Sequence, residues 1–78
     1  MSNNPILYAA ALRGQDRLQE AIDYIESVVN TIDPNFAVLA YREAFLAARD
    51  SGQIEVARKY AAKIAVTDPE LPSIKGWL

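Results

Sequence analysis

GQDRLQEAIDYIESVVNTIDP, residues 14–34, is answered by GQIEVARKYAAKIAVTDP, residues 52–69. Each phrase runs from a Gly-Gln pair through an amphipathic stretch to an Asp-Pro pair. Asp33-Pro34 and Asp68-Pro69 lie 35 residues apart, close to the period of about 34 at which helical hairpins repeat. Glycine closes helices, and Asp followed by Pro opens them, because the carboxylate caps free N–H groups while proline has none to lose. This punctuation predicts an all-α fold in a single domain. Two antiparallel helical hairpins, over about 5–32 and 34–67, stack side by side, and a short capping stub follows at 68–78.

Outward from these phrases, Asn4 reads as the N-cap of a first helix with Pro5 in its opening turn, and Gly14 as its end. Asp16 then caps the second helix, and Gln19, three residues on, completes a capping box. Leu18, Ala21, Ile22, Ile25, Val28, Val29 and Ile32 recur at spacings of three and four and predict a helix to the end of the phrase. Asp33 and Pro34 open a third helix. It is apolar on two sides, with Val38, Tyr41, Phe45 and Ala48 on one and Leu39 and Leu46 on the other, as a central element covered twice should be. Gly52 ends it. The fourth helix, about Gln53 to Val66, turns Ile54, Ala57, Tyr60, Ala61 and Ile64 inward. After Asp68-Pro69 a further proline, Pro72, leaves room only for a stub whose Ile74, Trp77 and Leu78 can close the array.

A 78-residue chain buries only about 60% of the surface that its unfolded form exposes, so added contacts such as self-association would strengthen it. Its 51% hydrophobic and 23% charged residues are those of a folded protein. A net charge of −2 offers no general attraction to nucleic acid or to an anionic membrane, and neither is expected as a partner. The first residues lack the basic region and apolar core of a signal peptide, and no apolar run reaches the 18 or so residues of a membrane span. The expectation is an unprocessed cytoplasmic protein.

The second phrase, with the helix before it, resembles the tetratricopeptide repeat. Tyr41, Ala44, Ala48, Gly52, Ala57 and Pro69 fall where that pattern has an aromatic, two packing residues, the turn, a close-packing alanine and a closing proline. Phe45 stands where the family favours a small residue, and Ala61 where it favours an aromatic one. The first phrase follows the pattern through Ala21 and Ile25 and is three residues longer from Gly14 to Pro34 than from Gly52 to Pro69. The resemblance implies a groove between the first and third helices that receives a protein segment, lined by Leu7, Tyr41, Arg42 and Phe45. Tyr8 and Tyr24 add aromatic edges.

The chain has neither histidine nor cysteine, so the usual zinc ligands and the Ser-His and Cys-His nucleophile pairs are missing. Its three glycines make no phosphate-cradling loop. No cofactor, metal or catalytic residue is expected. Asp16, Glu20, Asp23 and Glu26 line one face of the second helix, and Arg58, Lys59 and Lys63 face outward from the fourth. These opposed charges suggest head-to-tail association of copies, steered by charge. Trp77 is read as an internal cap or as an anchor in a partner's pocket. The function expected is that of a non-catalytic adaptor binding a protein segment or its own copies. A subunit of a self-assembling particle or secretion machine, and an acidic immunity-type inhibitor, are the alternatives.

Overall fold

A computed structural model describes residues 4–78, and every regular element among them is helical. Helix α1 spans Pro5–Gly14, α2 Leu18–Val28, α3 Pro34–Asp50, α4 Ile54–Ala65 and α5 Pro72–Lys75, with a 3-10 turn at Val29–Thr31 after α2. The capping chemistry explains the two helix starts that follow Asx residues. Asn4 Oδ1 accepts from the N–H groups of Ile6 at 3.1 Å and Leu7 at 3.2 Å, and Asp33 Oδ1 accepts from that of Asn35 at 2.9 Å. Proline follows each cap, in the turn where no backbone donor is needed.

Both hairpins turn through the same hydrogen-bond pattern, at Gly52 in the second as its Gly-Gln pair suggests and two residues beyond Gly14 in the first. In the first, the N–H of Arg17 donates to Leu12 O at 2.9 Å and that of Asp16 to Arg13 O at 3.0 Å. In the second, Gln53 donates to Ala48 O at 2.9 Å and Gly52 to Arg49 O at 3.2 Å. These bonds satisfy the last carbonyls of α1 and α3, and the pattern needs one left-handed residue. Gly52 takes that place with φ 77°, and Asp16 takes it with φ 62°. Asp16 therefore serves the turn and does not cap α2, whose N-cap is Arg17 with no side-chain bond. The capping box with Gln19 does not form. Gln19 instead donates to Asp23 at 2.9 Å and accepts from Gln53 at 2.7 Å.

The excess length of the first phrase appears as the 3-10 turn. Helix α2 stops at Val28 rather than running to Ile32, and Val29–Thr31 tightens into 3-10 geometry before Ile32 becomes extended. The β-branched residues Val28, Val29 and Thr31 crowd a helical backbone and favour this early end.

Helix α1 packs on α2 and α3, α2 on α3, α3 on α4, and α4 on α5. The backbones of α1 and α4, and of α2 and α4, stay more than 8 Å apart, so the four long helices do not close into a ring. They form an open stack of 37 × 26 × 18 Å with α3 at its centre. Helix α3 lies beside α1 with matching ends at their starts, and Arg13 Nε meets Glu43 Oε2 at 3.0 Å farther along. Eight of the fifteen buried apolar residues among those described are alanines, which lets the helix backbones approach closely. Phe45, Ile22, Ile25, Ile64 and Ile74 supply the bulk.

Candidate protein-binding clefts

The clefts of the molecule are set by α3. This helix is 17 residues long against 10 for α1. The two helices start level with one another, so Pro34–Ala40 flanks α1 and the extra length of α3 lies at its far end. These first two turns of α3 carry Phe36 and Leu39, which keep 52% and 44% of their surface exposed. On one side Phe36 joins Pro5, Ile6 and Ile32 around a cleft of about 570 Å3, its rim formed by the two caps Asn4 and Asp33. On the other, Leu39 joins Val38, Ile64 and Leu71 around a cleft of about 290 Å3 with Arg42 and Asp68 at its edge. Phe36 and Leu39 are three residues apart on one helix, and so stand one turn apart on the surface.

The groove residues expected from the sequence do not share a wall. Phe45 is fully buried and offers no surface to a partner, which corrects its place in the groove. Tyr41 and Arg42, adjacent in the chain, point about 100° apart around the helix. Arg42 reaches the cleft of Leu39, whereas Tyr41 lies in the seam between α2 and α4, 5.9 Å from the ring of Tyr60. Leu7 is 65% exposed on α1. Tyr8 and Tyr24 pair with each other, centroids 4.5 Å apart, at the α1–α2 edge.

The acidic and basic faces meet inside one molecule. Glu26 Oε1 accepts from Lys59 Nζ at 3.4 Å and from the Tyr60 hydroxyl at 3.0 Å, and Lys63 Nζ stands 5.5 Å from the Tyr41 ring centre. Glu20 pairs with Arg17 one turn before it, and Asp23 accepts from Gln19. Arg58 is exposed, as is Asp16 at the first turn. Part of the charge expected to join neighbouring copies is thus satisfied within the chain. Burial and the bond to Glu26 push the Tyr60 hydroxyl well above the usual tyrosine pKa. It remains a protonated donor at neutral pH.

Trp77 turns inward. Its indole packs edge-on against Phe45 while Ile74, three residues earlier, is fully buried, so α5 covers the flank of α3 and α4. Among the described residues no three acidic side chains gather as a cation site, and no helix is long and apolar enough to cross a membrane. No known protein family matches the chain, and neither a curated protein nor a solved structure is similar to it.

The sequence pattern alone does not single out Phe36 and Leu39 as site residues. The signal that points to them is Phe36 itself, a large aromatic in the first turn after an Asp-Pro start.

Proposed function

We propose that the chain is a non-catalytic protein-interaction module, tetratricopeptide-like in kind, that receives a segment of another protein across the opening turns of α3. One observation carries the reading: Phe36 and Leu39 stand half exposed on adjacent turns, each at the mouth of a cleft with apolar walls. An extended or helical segment with two apolar side chains one turn or a few residues apart can fill both clefts, with the polar caps and Arg42 at the rim fixing its path. The open stack supports this reading, because the start of α3 has neighbours on its flanks and none over its outer face. The pairing of Glu26 with Lys59 within one molecule speaks against assembly through those faces.

Selection of peptides from a displayed random library, with the whole chain as bait, tests the proposal. Selected peptides should share paired apolar residues and should bind the Phe36→Glu and Leu39→Glu variants at least about tenfold more weakly. Peptides indifferent to both substitutions would remove the clefts from consideration.

A further inference from the structure

We propose that the seam between α2 and α4 is an oxyanion site that seats an acidic side chain of the protein partner. The proposal rests on the reading of the chain as a protein-binding module and adds a second, polar subsite to it. Helices α2 and α4 splay apart over α3 and are joined only through side chains, which leaves a cleft of about 260 Å3 with Tyr41 in its wall. Its polar groups are unbalanced in favour of donors. Lys63, Asn30 and Tyr41 all line the cleft, and the ammonium, amide and hydroxyl they carry have no hydrogen-bond partner among the described residues. Lys59 makes one long bond at 3.4 Å and can offer two further donors.

The one carboxylate in the wall, Glu26, is already engaged. A single oxygen, Oε1, takes both the Tyr60 hydroxyl and Lys59, so one carboxylate stands against two ammonium groups at the cleft, and Lys63 makes no ion pair among the described residues. Asp23, one turn earlier on α2, does not border the cleft and is occupied by Gln19. A group that only accepts hydrogen bonds is the complement of such a wall, and an ionised carboxylate is that group on a protein. The ammonium groups of Lys59 and Lys63, each within 6 Å of a tyrosine ring centre, are held near the cleft by their rings.

Nuclear magnetic resonance titration of the full chain with a capped hexaglutamate peptide, a capped hexaglutamine peptide and inorganic phosphate tests the site. Signals of Asn30, Tyr41, Lys59 and Lys63 should move with hexaglutamate and not with hexaglutamine. The Lys59→Gln, Lys63→Gln double variant should weaken binding about tenfold, and Asn30→Ala, which leaves every ion pair intact, should weaken it about threefold. Undiminished binding by both variants, or shifts spread over the whole surface, overturns the proposal. A stronger response to phosphate than to hexaglutamate overturns the acidic side chain as occupant. An apolar peptide that moves Phe36 and Leu39 in the same sample keeps the broader reading alive if the seam fails, and silence at both places removes the two together.

Discussion

The indole of Trp77 stands edge-on to the ring of Phe45, with centroids 5.6 Å apart and planes at 89°. Phe45 owes its complete burial in part to this lid, since α5 is only four residues long and Ile74 is its only fully buried residue. Trp77→Ala removes the ring contact and opens a void beside Phe45. Full burial of a tryptophan is worth about 3–5 kcal/mol against alanine, so for a half-buried ring the loss should be about 2 kcal/mol. Thermal melting should fall by about 10 °C. An unchanged melting temperature would show that α5 does not hold the stack together.

Ser73 lies in the same segment, with its hydroxyl oxygen shut from solvent and without a hydrogen-bond partner. A buried hydroxyl that finds no partner costs about 1–3 kcal/mol in lost hydration. Ser73→Ala removes that cost and improves helix propensity in α5. The variant should melt at or above the temperature of the parent chain. A fall of several degrees would mean that the hydroxyl finds a bond through solvent.

The two hairpin turns differ in how comfortably they hold their left-handed residue. Gly52 carries no Cβ, and space around it is open, so only its φ of 77° resists substitution. Gly52→Ala should cost about 1 kcal/mol. At the first turn Asp16 bears that strain already, with φ 62°. Asp16→Gly should stabilise the chain by about 0.5 kcal/mol, the relief being offset in part by the loss of a negative charge near the start of α2. Urea titration separates the two signs, and a loss of stability on Asp16→Gly would mean that the carboxylate matters more than the backbone.

The helix starts were legible in the sequence because caps are local. Asn4 and Asp33 bond to backbone groups two or three residues away, and the prolines beside them allow few other conformations. The turn after α1 is misleading in the sequence for the same reason. Gly14 is the obvious left-handed residue, and Asp16 the obvious cap, yet the chain continues two residues beyond Gly14 and uses Asp16 for the turn. Nothing local separates those roles in an aspartate. The clefts were less legible still. Tyr41 and Phe45 share a stripe of α3, but whether that stripe meets a groove, a neighbouring helix or a capping segment depends on where α4 and α5 lie. Periodicity shows which residues travel together and leaves open what they face. The exposure of Phe36 and Leu39 depends on which faces at the start of α3 the flanking helices leave bare, and that emerges only once the helices are placed in space.

The bond from Tyr60 to Glu26 gives the stack a dependence on alkaline pH. Burial, the hydrogen bond to Glu26 and the nearby carboxylate charges all raise the Tyr60 pKa in the folded chain above its ordinary value of 10.0. The unfolded chain releases this proton near pH 10, whereas the folded chain holds it. The contribution of the group to stability is therefore complete below about pH 10 and is lost as the pH rises from there toward the folded value. Tyr60→Phe keeps the ring and removes the titration. It should cost about 1 kcal/mol at pH 7, where the bond to Glu26 is lost. Between about pH 10 and 12 the parent should lose stability faster than the variant, so their melting temperatures converge. Parallel curves through that range would show that the hydroxyl is not held by Glu26 in solution.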